Sequence, residues 1–284
     1  MDVREYLKTR PLVFDGAMGT YYAGLNMDAK KCEMANLNDK STILKIHQEY
    51  LNAGCKAIKT NTFGANKVSL ERDFATVKEV IINGYEIGME AVKGTDAFVF
   101  ADIGPIPALE EKNLQADYLA IIDVFLGLGA TDFLFETFGS AEHLRELAAY
   151  IKKKNSEAFI LVEFAVTPEG FTRLGHAGKK LFTDMSQVKE IDAVGFNCIS
   201  GPYHLLQYIN NRTFFNNSAE YFAAHMLEFA KRGVKILGGC CGTTPKFIEQ
   251  TVQALSSFKG REVFQGAVAD IPEKNKDIPQ NLLI

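Results

Sequence analysis

Two adjacent thiols, Cys240 and Cys241, lie in the run Gly238-Gly239-Cys240-Cys241-Gly242-Thr243-Thr244-Pro245. An apolar stretch, Val234 to Leu237, precedes them with the length and composition of a buried parallel strand, and a helix-like segment opens at Thr244-Pro245. Neighbouring side chains on an extended strand point to opposite faces, so both sulfurs reach one point only on a turned backbone, which the flanking glycines permit. A third thiol, Cys198, ends another strand-like run, Ala193 to Phe196 followed by Asn197. Three cysteines at strand ends in one sheet could bind one Zn²⁺ and leave its fourth position for a substrate, the open arrangement of a catalytic site. The alternatives for these thiols are buried small hydrophobes or a vicinal disulfide.

The elements that must position them alternate. Strand-like runs occur at Leu12 to Phe14, Ala57 to Thr60, Phe98 to Ala101, Phe133 to Phe135, Phe159 to Phe164, Ala193 to Phe196 and Val234 to Leu237. Helical periodicity falls between them, clearest in Ile43 to Leu51, Val77 to Val92, Leu114 to Leu126, Ala141 to Ile151, Tyr221 to Ala230 and Phe247 to Leu255. With no glycine fingerprint of a doubly wound fold and no internal linker, the pattern predicts an α/β fold, a (β/α)₈ TIM-type barrel. Its one irregularity lies between Cys198 and Cys240, where only Arg212 to Phe215 offers a further strand, so the seventh strand is either shortened or missing. The expected domain is 1–265; residues 266–284 carry charges, prolines and little periodicity and read as a tail or linker.

A barrel places its active site just after the strands. There the sequence supplies Asp15-Gly16, Asn61-Thr62, Asp102, Glu136-Thr137, Glu163, Asn197-Cys198 and Cys240-Cys241. Polar ends are expected of any strand, so the coincidence of all three thiols with that mouth is the informative part. Cys55, at a helix end, reads as structural, and Cys32, in a charged run, as a surface or loop thiol. The five histidines lie mostly on helices or loops and lack His-Glu-x-x-His spacing, so none is expected to bind the metal.

The motifs DGAMGT (Asp15 to Thr20), TNTFGAN (Thr60 to Asn66), FETFGS (Phe135 to Ser140), GFNC (Gly195 to Cys198) and GGCCGTTP (Gly238 to Pro245) together resemble the homocysteine S-methyltransferase family. That resemblance implies zinc held by Cys198, Cys240 and Cys241, with homocysteine entering as fourth ligand through its sulfur. It also implies that the amino and carboxylate groups of homocysteine are held near Asp15, Gly16, Ala17 and Glu136, and Asn61 and Asn197 complete the expected substrate contacts. Carboxylates suit the ammonium and backbone N–H groups around Gly16 suit the carboxylate, so these are binding roles rather than proton transfers. Zinc keeps the attacking thiol deprotonated at neutral pH, and the product is methionine.

The methyl donor is left open among methyltetrahydrofolate, S-methylmethionine and a betaine-type compound. No Asp-x-His-x-x-Gly cobalamin motif is present, and the lack of tryptophan weakens a betaine-type aromatic cage. The resemblance also implies partner domains, a methylenetetrahydrofolate reductase or a folate or cobalamin domain. Two other readings stand beside the enzyme: a zinc-binding module that only presents homocysteine to a partner carrying the donor, and a shortened, inactive barrel. A related thiol or selenol acceptor is a further variant.

Composition limits the remaining classes. The 284 residues are 47% hydrophobic with a mean hydropathy of -0.04, enough for one large domain. A net charge of -4 supplies no basic footprint for nucleic acid and no polybasic patch for a membrane. The first residues lack a signal-peptide core and no apolar run reaches the ~18 residues of a membrane span, so a cytoplasmic location is expected. Five cysteines suit free thiols or a metal better than a disulfide framework.

Overall fold

A computed structural model describes residues 2–25, 29–107, 114–200, 218–256 and 258. Its strands are β1 (Leu12–Val13), β2 (Ala57–Lys59), β3 (Phe98–Ile103), β4 (Asp132–Phe138), β5 (Phe159–Phe164), β6 (Ala193–Phe196) and β7 (Ile236–Leu237). The helices are α1 (Val3–Leu7), α2 (Gly19–Gly24), α3 (Ala35–Asn38), α4 (Lys40–Asn52), α5 (Lys67–Leu70), α6 (Phe74–Ala91), α7 (Leu114–Gly127), α8 (Leu144–Lys154), α9 (Gly178–Ser186), α10 (Ala219–Lys231) and α11 (Pro245–Ser256), with a 3₁₀ segment at Ala29–Met34.

Strands β2 to β6 form one parallel sheet in sequence order, and β1 pairs in parallel with β7. A parallel bridge between Phe14 and Ala57 joins the two groups. It is carried by Lys56 N–H donating to the Val13 carbonyl at 2.8 Å and Asp15 N–H donating to the Ala57 carbonyl at 2.9 Å. The spatial order is therefore β7-β1-β2-β3-β4-β5-β6, the winding of a TIM-type barrel. Closure between β6 and β7, and with it the candidate strand Arg212 to Phe215, lies outside the described residues, as does the tail 266–284.

Strand alternation sorts the core into two layers. Ile58, Val99, Ala101, Phe133, Phe135, Ile160, Val162 and Val194 face the helices, where they pack with side chains such as Val77, Val80 and Ile81 of α6. The intervening positions, Leu12, Phe14, Ala57, Phe100, Leu134, Leu161, Ala193 and Ile236, fill the barrel interior. Helix α1 joins that interior from below through Val3 and Tyr6. It is held by Arg4, whose Nε donates to Asp192 Oδ1 at 2.8 Å and whose Nη2 donates to the Ala158 carbonyl at 2.7 Å.

Helix α6 shows why these segments are helical. Its buried residues, Val77, Val80, Ile81, Gly84, Tyr85, Ile87, Gly88 and Ala91, recur at three- and four-residue spacing. The Asp73 side chain accepts from Thr76 N–H at 2.8 Å and caps its start. Cys32, expected as a surface or loop thiol, lies in the 3₁₀ segment and away from the surface. It is buried at 6% exposure in the helix-facing core, where burial first, and Glu33 second, push its thiol up to about 12.

Candidate metal and amino-acid site

The interior parity that runs through Ala57, Phe100, Leu134, Leu161 and Ala193 continues upward to Lys59, Asp102, Glu136, Glu163 and Gly195, with Asn197 one step beyond. An apolar barrel core is thus topped by a layer of ionisable side chains, and the thiols lie at the mouth.

The sulfurs of Cys198, Cys240 and Cys241 all lie within 4.8 Å of one another, and Cys240 and Cys241 are 4.0 Å apart. Zn–S bonds of about 2.3 Å in a tetrahedron put sulfurs about 3.8 Å apart, so this donor set fits zinc with little adjustment. Hydrogen bonding with Cys198, with burial adding to it, pushes the Cys240 thiol up to about 12. Thiols this close resist becoming thiolates together, and a divalent cation between them reverses that resistance.

The backbone at these positions is strained in the way the thiol geometry needs. Cys198 and Ile199 have φ of 57° and 54°, and Thr137, beside Glu136, has φ of 66°. For non-glycine residues such conformations cost about 1–3 kcal/mol each and gather at functional sites. The β4–β5 register also shifts between Phe135 and Phe138, an irregularity that spans Glu136 and Thr137.

Asp15 is 2% exposed. Its Oδ2 accepts the backbone N–H of Lys59 at 3.0 Å, and its Oδ1 lies 3.2 Å from the Lys59 ammonium. That second approach is an ion pair without hydrogen-bond alignment, so Oδ1 remains a buried acceptor open to another donor. Burial raises Asp15 to about 6, with Lys59 opposing the rise. Glu136 Oε1 accepts from Asn197 Nδ2 at 2.9 Å and lies 3.8 Å from the Lys59 ammonium. Burial disfavours charge on Lys59, but Asp15 and Glu136 override it and hold the amine well above its ordinary range. Burial, and next to it Glu136, raises Asp102 well above a normal carboxylate, and the same two causes take Glu163 to about 8.

Asp15 and the vicinal cysteines come from opposite ends of the chain and meet through backbone pairing. Gly239 N–H donates to the Asp15 carbonyl at 3.0 Å, continuing the β1–β7 ladder. Thr243 Oγ1 donates to the Cys240 carbonyl at 2.7 Å and accepts from Ala17 N–H at 3.2 Å. The Tyr50 hydroxyl lies 2.9 Å from the Ala17 carbonyl and 3.1 Å from that of Thr243. A Cβ on Gly16 would come within 2.7 Å of Thr243 Oγ1 and 2.8 Å of the Tyr50 ring, so only glycine fits there.

A cavity of about 800 Å³ opens over this arrangement, lined among others by Lys59, Glu136, Glu163, Asn197 and the three cysteines. Of the residues read from sequence, Glu136, Asn197, Cys198, Cys240 and Cys241 line it, and Asp15 lies buried behind the lining, against Lys59. Gly16 and Ala17 pack beside them under Tyr50 and Thr243. Asn61 sits apart: its amide donates to the Cys32 carbonyl at 3.0 Å and to Asn36 Oδ1 at 2.8 Å, and so ties the end of β2 to the 3₁₀ segment and α3. Lys59, Tyr50 and Thr243 escape the sequence reading. Lys59 carried one signal, a charged residue at the same parity as the strand-end acids.

The family model for homocysteine S-methyltransferase matches residues 12–255. The chain belongs to the homocysteine S-methyltransferase family. Among curated relatives of this family member, the methionine synthase of Mycobacterium tuberculosis is 25% identical over 312 residues, covering 92% of this chain and 26% of that protein. The methionine synthase of Mycobacterium leprae is 25% identical over 318 residues, covering 93% and 26%. The chain therefore spans about a quarter of the length of these relatives. In structure it is similar to the homocysteine methyltransferase MmuM from Escherichia coli. The metallated form aligns with a TM-score of 0.73 at 20% identity, covering 88% of this chain and 98% of that one. The apo form aligns at 0.70 and 22%, covering 87% and 97%. At this identity the likeness establishes the fold of the family.

Proposed function

We propose that this chain is an enzyme that transfers a methyl group to the thiolate of homocysteine and so makes methionine, with zinc held by Cys198, Cys240 and Cys241. The observation that carries the reading is the meeting of three sulfurs within 4.8 Å with a buried carboxylate pair beside them. When bound, zinc would keep the incoming thiol deprotonated and nucleophilic at neutral pH.

The remaining tasks belong to the chain. Glu136, lining the cavity and steadied by Asn197, accepts from the substrate's ammonium, and Asp15, buried behind it, supplies a second negative charge to that end of the site. Backbone around Gly16 faces the substrate's carboxylate. Phe182, Phe196 and Phe14 line the cavity and exclude water from a thiolate that water would solvate and weaken. With the amino acid held at both ends, a sulfonium or quaternary ammonium donor approaching from the open mouth yields its methyl carbon to the thiolate and leaves as a neutral sulfide or amine, whereas a methyltetrahydrofolate donor must also be protonated at the departing nitrogen. Such orientation supplies up to ~7–11 kcal/mol in favourable cases.

The test is methionine formation by the zinc-loaded chain from homocysteine with a sulfonium, a betaine-type and a methyltetrahydrofolate donor in turn. Product with at least one donor is expected, and failure to bind homocysteine at all would overturn the reading. A second reading is favoured by the chain's spanning about a quarter of its methionine synthase relatives: a module that presents homocysteine to a donor domain. It predicts homocysteine binding with no product until such a domain is added. All five cysteines are free, which suits a reducing compartment, and we place the protein in the cytoplasm. Among the described residues no helix is long and apolar enough to cross a membrane.

A further inference from the structure

Lys59 is a buried charge that the chemistry above does not use. It stands on β2, and its ammonium is ringed by oxygens from three other segments: Asp15 Oδ1 after β1 at 3.2 Å, Glu136 Oε1 on β4 at 3.8 Å, and the Gly239 carbonyl after β7 at 3.4 Å. Its backbone N–H holds the other oxygen of Asp15 at 3.0 Å. With its side chain only 14% exposed, its ammonium donating to the Gly239 carbonyl and paired in charge with both carboxylates, Lys59 has little to offer a ligand directly. What it does is join the two ends of the site. Gly239 immediately precedes Cys240, so one contact reaches the sulfur end, while Asp15 and Glu136 are the ammonium end.

We propose that Lys59 is a positioning residue that fixes the distance between the sulfur site and the carboxylate pair, and thereby selects the amino-acid thiol with two methylenes between sulfur and α-carbon over the one with a single methylene. The proposal rests on the homocysteine reading given above. A thiol held at the cysteines and an ammonium held at Asp15 and Glu136 span a length set by the side chain between them. Cysteine, one methylene shorter, reaches both ends only if the carboxylates move toward the sulfurs. The Lys59 ammonium, itself anchored to the Gly239 carbonyl, prevents that movement by attracting both carboxylates to one place. Without it, Glu136 keeps its Asn197 contact, Asp15 loses the charge that holds Oδ1, and the spacing becomes adjustable.

The experiment is calorimetric titration of the zinc-loaded full chain with L-homocysteine and with L-cysteine, for the wild type, Lys59→Met and Lys59→Arg, with zinc content measured on each. One methylene in a fitted site is worth about 10–200-fold, and the wild type is expected to prefer homocysteine within that range. Lys59→Met is expected to keep its zinc and to bring the ratio of the two affinities to within about threefold, as cysteine gains the reach that Lys59 denies it and homocysteine loses the fixed spacing. Lys59→Arg keeps the charge but displaces it, and is expected to give an intermediate ratio. If Lys59→Met does not fold, the arginine variant alone decides. A role in stability only would weaken both ligands by one factor and leave the ratio unchanged, and an unchanged ratio in the folded variants overturns the proposal. If the wild type binds neither thiol, the homocysteine reading fails and this proposal falls with it, a result distinct from selective binding that survives substitution.

Discussion

A carboxylate inside a barrel mouth is costly unless something cationic meets it. Glu136 meets Lys59 and the Asn197 amide, and in the proposed complex it also meets an ammonium. Replacing it by glutamine keeps the shape and removes the charge. Glu136→Gln is therefore expected to weaken homocysteine binding by about 30-fold or more, the effect of losing one partner of a buried charge pair worth 2 kcal/mol or above, with zinc content unchanged. Calorimetry beside metal analysis checks it, and loss of zinc in this variant would mean that Glu136 serves the metal site instead. Much of this scale is legible in the sequence, because Cys198, Cys240, Cys241, Asp15 and Glu136 announce themselves as reactive types at strand ends. Lys59 does not. A lysine within an apolar run reads as a solvent-facing interruption, and only the distant Asp15 and Glu136 make burial of its charge tolerable.

At the scale of elements, the site is a product of strand parity and two close-packed turns. The turn after β1 fits under the turn after β7 only because Gly16 has no side chain. Gly16→Ala forces a methyl against Thr243 and the Tyr50 ring, and is expected to cost about 1–3 kcal/mol in denaturant unfolding; an unchanged midpoint would refute the packing argument. Parity also predicts a pH effect. Glu163 rises to about 8 when folded, from an ordinary 4.5, because burial and then Glu136 disfavour its charge. The folded state thus gains from a protonated Glu163 below about pH 4.5, and that gain is lost as the pH rises through about 8. Glu163→Gln, which never ionises, is expected to melt above the wild type at pH 9 and level with it near pH 4.5. Parallel melting curves across that window would contradict it. The long helices and the seven strands among the described residues are visible in the periodicity, with ends displaced by a few residues. The helix α9 is not, since Gly178–Ser186 interleaves its few apolar residues with lysines, a threonine and an aspartate and is too short for a clear repeat. The single-turn α1 escapes for the same reason of length.

For the whole molecule, α1 closes the lower end of the barrel that the thiols crown. Arg4 reaches Asp192 just ahead of β6 and the Ala158 carbonyl just ahead of β5, so it ties the first helix to strands far along the chain. Arg4→Ala is expected to lower stability by about 1–2 kcal/mol, discounted for partial exposure, without changing metal content. A change in metal content would show that the lower end and the mouth are coupled, against this account. The long-range meeting of chain ends is what periodicity cannot report: β1 and β7 each show only two paired residues, and their adjacency follows from barrel winding rather than from any local pattern.

In the proposed site three chain sulfurs hold one metal whose remaining position receives the sulfur of homocysteine. X-ray absorption at the zinc edge on the purified full chain, with and without homocysteine, tests it most directly. One zinc per chain bound by three sulfurs and one lighter atom is expected, changing to four sulfurs when homocysteine is added. No stoichiometric metal, or a sulfur count that homocysteine leaves unchanged, would contradict it.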